Sequence, residues 1–419
     1  MSKKFKKVMA LVLAAVMSTA LFAGCGNKGA STSTGNSSTT TSSNTQDTGS
    51  KEKVTLKVWG AQEEQPLLKE MVESFKAAHP EKEYDITLAV VSESDLKGKY
   101  LDDPAAAADV FVFANDQIWD LYNAGALYEV TRNKDAIISA NIEGAVDAAT
   151  IDGKLYAYPM TADNGYFLYY DKSVISDEEA KTLDGILAAA DKAGKKVVMD
   201  ISNGYYIASF FFGAGCTLKI ENGKQVCDFN NANGLKAAEA IKAFTAHNAF
   251  MTGDDPVITA QIGDTVAAAV TGTWNAEVIK SKLGDNFGVA KLPTYTSGSE
   301  QIQMGSFMGY KLVGVNSQTK FPVDAMDFAE WITNEENQKL RYEKRGLGPS
   351  NKNVAESEAV KSNPVLGALA EQSKYAVSQK DVLGSYWTPA EAFGAALEAK
   401  YYSKSLQELL DEMVAQIQQ

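Results

Sequence analysis

The 419-residue sequence predicts an α/β protein in two lobes, and three observations carry that prediction. Strands alternate with helices from Val54 to Phe113, and the alternation resumes from Val197 to Leu292. Between them, Asp152 to Lys172 reads as two strands with a non-helical joint: Asp152-Gly153 supplies a turn, Leu155 to Tyr158 an extended run, and Pro159 removes a ladder donor before Tyr166 to Tyr170 resumes as aromatic strand. A chain that passes from one such alternation to the next without a helix is crossing between lobes.

Residues 1–24 read as an export signal, with Lys3, Lys4, Lys6 and Lys7 ahead of an apolar run from Val8 to Phe22 that is shorter than the roughly 20 residues a membrane span takes. The signal holds four lysines and no acids, so its removal takes the formal net charge from −13 to −17. An acidic body of this kind repels polyanions, which excludes nucleic acid and anionic membrane surfaces as its partners. Residues 26–52 are almost entirely Ser, Thr, Gly and Asn; they cannot bury apolar surface and are expected to form a disordered tether with a reach of roughly 30 Å.

Val54, Leu56 and Val58 alternate with Thr55 and Lys57, the period of a strand. Pro66 opens a helix with the apolar stripe Leu67, Leu68, Met71, Val72 and Phe75, and Pro80 ends it. Further strands are expected at Tyr84 to Val91 and Asp109 to Phe113, in a largely parallel sheet. After the crossing come a strand at Val197 to Asp200, a helix following Tyr205, a hairpin about Asn222-Gly223, a helix from Ala232 to His247, a strand at Thr265 to Thr271 and a helix from Trp274. Ser306 to Asn316 then reads as a strand returning toward the first lobe, ahead of helices at Val323 to Thr333 and Glu335 to Lys344.

The stretch DGKLYAYPM…LYYDK is similar to the crossover of the family 1 extracellular solute-binding proteins of the maltose-binding type, which feed ABC importers, and the resemblance can be followed from about Val54 to the C-terminus. It implies that the last helices, from about Val365, rejoin the second lobe. The lobes would then be discontinuous, 53–161 with 306–364 and 162–305 with 365–419, hinged about an interlobe ligand cleft as in type II periplasmic-binding folds. It also implies that Leu21-Phe22-Ala23-Gly24-Cys25 is a lipobox, although Phe22 departs from the usual aliphatic residue. Cys25 would then be lipidated and hold a monomeric protein at the outer face of the cytoplasmic membrane beside its permease.

Enzymatic signatures are scarce. His79 and His247 are the only histidines, too few for a multi-His metal site, and HExxH, GxSxG and P-loop motifs are absent, so neither catalysis nor a cofactor is expected. A carboxylate pair could still hydrolyse a glycoside, which leaves an exported glycoside-active enzyme as the alternative. Aromatic residues beside polar groups suit a neutral polyol, whose ring stacks while its hydroxyls seek oriented partners.

Five places fit, with roles implied by the resemblance. Phe113 and Asp116 follow the third strand as stacking ring and hydroxyl acceptor, or else as core Phe and helix cap. Glu63 is an acceptor in the first loop, where the family's acid-Lys pair is Glu63-Glu64 here, or else part of a solvated acidic turn. Asp163, with Asn164 as fallback, lies at the crossover joint and is a ligand contact or a plain hinge turn. Asn203 and Tyr205 occupy the family's acid-Pro-Tyr position, with Tyr206 as the other exposed-ring choice. Trp274 and Trp387 match its two stacking tryptophans, while the Arg expected one turn after the second is Glu391. Trp331 reads as core and Trp59 and Trp119 as structural. The retained aromatic positions favour an α-glucan such as a maltooligosaccharide, with another oligosaccharide as runner-up.

Cys216 and Cys227 flank the Asn-Gly hairpin. If Cys227 pairs with Leu218, Cys216 is a diagonal neighbour at about 7–8 Å, slightly beyond the usual Cα span of a disulfide. A bridge and two free thiols are both open on that geometry.

Overall fold

Pro159 does not break the crossing. In this computed structural model, which describes residues 51–419, a single strand of 14 residues runs from Tyr158 to Asp171. Proline is tolerated because the ladder slips register between Lys311 and Leu312, beside the Leu312–Pro159 pair, where a missing donor disturbs little. The predicted export signal, Cys25 and nearly all of the predicted tether lie outside the described residues.

The first half of this strand pairs antiparallel with the return strand Ser306–Val315, and its second half pairs antiparallel with Val266–Gly272 and Phe287–Ala290. The result is a curled ten-stranded sheet running through both halves of a two-lobed α/β molecule. Parallel pairing, expected to dominate, holds in the outer strands: Lys53–Gly60 beside Glu83–Val90 and Val110–Ala114 in one half, Lys196–Val198 between Phe250–Met251 and Val266–Gly272 in the other. Short strands joined by helical crossovers run parallel, whereas a strand shared by two lobes is met by chains returning against it.

Local expectations from the first half are met closely. Val54, Leu56 and Val58 are fully buried, and the helix Gln65–Ala78 buries Leu67, Leu68, Met71, Val72 and Phe75. Glu64 is buried with Arg341 at 3.2 Å and Arg345 at 3.3 Å. Burial opposes its charge, but the two guanidiniums outweigh that and hold the carboxyl below its usual range. In the second half, the helices Trp387–Glu398 and Leu406–Ile417 pack on Gly204–Gly213 and Ala232–Ala246. No helix among the described residues is long and apolar enough to cross a membrane.

The hairpin pairs Leu218 with Cys227, and Asn222 and Gly223 take φ of +53° and +75°, the left-handed conformations that a two-residue type I′ turn requires. Cys216 and Cys227 are buried free thiols, so the bridged alternative is not what the structure holds. Burial pushes both up to about 12. Trp331, expected as core, is half-buried on the core's rim, edge-on to Phe75 with its Nε1 donating to Ser74 Oγ at 3.3 Å. Trp59 is buried and Trp119 half-buried.

Candidate functional site

The crossing strand changes partners between Gly165 and Tyr166, and polar groups collect just before that point, at Asp163-Asn164. Asp163 is fully buried; its Oδ2 accepts from Thr273 Oγ1 at 2.8 Å and from the Gly348 amide at 2.7 Å, while Oδ1 has no partner. One carboxylate thus ties together three segments distant in sequence. Beside it, Asn164 Nδ2 donates to Gln379 Oε1 at 2.7 Å, and Gln379 Nε2 donates to Asp116 Oδ1 at 2.9 Å. Burial pushes the Asp116 carboxyl up to about 7, against the opposing charge of Lys97.

Near this polar chain are aromatic rings carried by other elements. Trp274, half-buried, sits on the turn after Val266–Gly272, and its Nε1 donates to Asp255 Oδ2 at 2.7 Å. Asp255 Oδ1 in turn accepts from Thr271 Oγ1 at 2.8 Å, so the indole is held by a carboxylate that is itself held. The Gly-x-Trp spacing has a steric cause: a Cβ on Gly272 would fall 2.0 Å from the indole, which folds back over its own backbone.

Trp387 opens its helix and packs against Tyr386 and Phe307, with ring centres 5.0 and 5.7 Å away. Tyr205 stacks on the other neighbour of this pair, parallel to Phe307 at 5.8 Å, and its hydroxyl donates to the Asn164 carbonyl at 3.1 Å. Tyr205, Trp387 and the Asp163-Asn164 joint therefore belong to one neighbourhood.

Other expectations are corrected. Phe113 is fully buried against Phe111, because its strand is covered on both faces; it is core and offers no ring face to a ligand. Asn203 caps the helix Gly204–Gly213, its Oδ1 accepting from the Tyr205 amide at 3.0 Å, so its acceptor is already engaged. Tyr206 is buried, leaving Tyr205 as the more accessible ring. Glu63 is exposed in the turn Gln62–Glu64, though its charge reaches Lys311.

Three participants escaped the sequence reading. Lys311 is the lone charge in the apolar strand Ser306–Val315, a signal that could have found it. Gln379 and Asp255 carry no such signal, since one follows a three-residue strand and the other reads as a helix start before Pro256. Among the described residues no group of His, Cys, Asp and Glu could hold a metal ion.

The model for bacterial extracellular solute-binding proteins matches residues 70–368 of this chain. A galactooligosaccharide-binding protein of Bacillus subtilis is 28% identical over 363 residues, covering 80% of this chain and 83% of that protein. A maltooligosaccharide ABC transporter solute-binding lipoprotein of Streptococcus pneumoniae is 24% identical, with 99% of each chain covered. A solved structure with acarbose superposes with a TM-score of 0.81 at 31% identity, covering 87% of this chain and 99% of the other.

Proposed function

Because the chain belongs to the family of bacterial extracellular solute-binding proteins, we propose that it captures an oligosaccharide between its lobes and delivers it to an ABC permease. The ligand is an α-glucan of the maltooligosaccharide class, a reading supported by the maltooligosaccharide-binding relative and by the neighbour solved with acarbose. The single observation that carries it is the gathering of rings beside the buried Asp163-Asn164 joint: Thr273, which bonds Asp163, immediately precedes Trp274, the Tyr205 hydroxyl bonds the Asn164 carbonyl, and Tyr205 and Trp387 both pack on Phe307. Ring faces take the apolar side of a sugar while carboxylates and amides take its hydroxyls. On this reading the substrate-binding residues are Asp116, Asp163, Tyr205, Trp274 and Trp387, with Glu63 reached on closure. The lobes divide at 161/162, 305/306 and 364/365.

The protein is exported and held by a lipid on Cys25 at the outer face of the cytoplasmic membrane, and acts as a monomer without catalysis. Cys25→Ala is expected to leave a folded, unlipidated protein released on cell fractionation; continued acylation would remove the lipobox assignment. A second reading, galactooligosaccharide capture, is favoured by the Bacillus relative. A thermal-shift screen of maltotriose, maltotetraose, galactotriose and monosaccharides separates the two. A ligand at a hundred times its Kd stabilises by about 2.7 kcal/mol, and the largest shift is expected with the maltooligosaccharides. Incubation with the same sugars and chromatography should return them uncleaved.

A further inference from the structure

Around the pairing of the crossing and return strands, Asn115 Nδ2, Thr161 Oγ1 and Asp163 Oδ1 are buried without hydrogen-bond partners, and the buried Glu93 Oε1 has an ion-pair contact with Lys311 but no hydrogen bond. Buried polar atoms are ordinarily satisfied, so a group of orphans at one place points to a missing partner. At their centre is Lys311, itself buried. It pairs across the ladder with Thr161 on one side and Ala114, the residue before Asn115, on the other. Directly paired residues share a face, which puts Lys311 and Thr161 on the same one, and the Asp163 carboxylate is close enough to act on the Lys311 charge. Register irregularities fall on both sides of Lys311, the kind of bulge that re-aims a side chain. Its Nζ is 3.5 Å from Glu93 Oε1 and 5.6 Å from the centre of the Trp274 ring.

We propose that Lys311 is a specificity-determining residue: with Asp163 and Glu93 it forms a polar end pocket beside Trp274 that takes the hydroxyls of a neutral terminal sugar. A hydroxyl donates one bond and accepts others, so a polyol can supply donors to Asp163 Oδ1 and Glu93 Oε1 while accepting from Lys311 and from Asn115 Nδ2. Burial works against the Lys311 charge, but Glu93, Asp163, Glu64 and Glu63 outweigh it and keep the amine protonated. Within the pocket itself Lys311 stands against two carboxylates, Glu93 and Asp163. The balance is negative, which disfavours a sugar acid or sugar phosphate and selects an uncharged ring.

The inference rests on the oligosaccharide reading above but not on which sugar is bound. Calorimetric titration of the full chain uses maltotriose, galactotriose, and analogues of the better binder lacking one terminal hydroxyl each. Lys311→Gln is expected to weaken that sugar by roughly ten- to hundredfold, the effect of losing a hydrogen bond to a charged group. One deoxy analogue should bind wild type about tenfold more weakly yet bind Lys311→Gln as well as the parent sugar does. If removing Lys311 strands Glu93 and unfolds the protein, Lys311→Gln/Glu93→Gln removes the charge pair together and gives the same readout. Affinity within twofold of wild type in a variant that only melts earlier would make Lys311 a structural counter-ion and overturn the proposal. Preference for galactotriose with the coupling intact would keep the end pocket and discard the α-glucan; binding of neither sugar would discard both.

Discussion

Trp274, Trp387 and Tyr205 carry one polar handle each at most, whereas Asn164, Gln379 and Asp116 are joined by hydrogen bonds, Asp163 is bonded to Thr273 and Gly348, and all four offer little apolar area. The difference lies in what each side contributes when nothing is bound. Half-buried rings contribute little to the unliganded fold, so on the proposed reading their removal should be felt in affinity. Asp163 already joins the crossing strand, Thr273 and Gly348, so its removal should be felt in the fold as well.

The largest effect is therefore expected at Asp163. Asp163→Ala strands two donors and should lower unfolding free energy by about 3 kcal/mol or more, at roughly 1.5–3 kcal/mol per bond to a charged group. Urea denaturation of the unliganded protein reads this, and an unchanged midpoint would erase the contrast between the two sides.

Trp274→Ala and Trp387→Ala come next, each removing on the order of 1–3 kcal/mol of binding by lost burial, tenfold or more in affinity, with a modest change in unliganded melting. Asp255→Asn sharpens the contrast, because it weakens the bond that holds the Trp274 indole without touching its area; a several-fold loss of affinity is expected. Trp331→Ala should leave affinity alone and cost about 1–2 kcal/mol of stability, below the roughly 3–5 kcal/mol of a fully buried indole, because Trp331 is only half-buried.

A smaller effect separates the sides by pH. With its carboxyl raised to about 7 by burial, Asp116 holds a proton in the folded state that the unfolded chain releases near 3.9. Between these values the folded state binds more protons, so the stability contributed at Asp116 falls as pH rises toward 7 and is level outside that window. Wild type should melt progressively earlier than Asp116→Asn as pH rises from 4 to 7; a constant gap would mean that Asp116 titrates normally. The smallest effect is at Cys216 and Cys227, whose buried thiols, raised to about 12, should resist iodoacetamide in the native protein and react in urea. Peptide mass spectrometry checks this, and a Cys216–Cys227-linked peptide in the unreduced digest would show a bridge instead.

Leu67 to Phe75 spell a helix face outright, whereas Trp274 and Trp387 were singled out by the family resemblance; the structure adds that Gly272 before Trp274 is required by steric closeness. Phe113 misled because a strand buried on both faces has no alternation to reveal which side is open. Asn203 misled because capping and ligand binding ask for the same side-chain oxygen. Gln379 was hidden for a different reason, since its pairing with Asn164 spans 215 residues of chain that no local pattern encodes; Lys311 was marked as the lone charge of its strand, but its partner Glu93, 218 residues away, was not. The crossing itself was found, but its continuity through Pro159 depended on a register slip in a partner strand nearly 150 residues away.

Calorimetric titration of the wild-type chain with maltotriose tests the central claim most directly. The account predicts saturable one-to-one binding that Trp274→Ala and Trp387→Ala each weaken by tenfold or more while both variants remain folded. Absence of maltotriose binding by a folded wild type, or unchanged affinity in both variants, would contradict it.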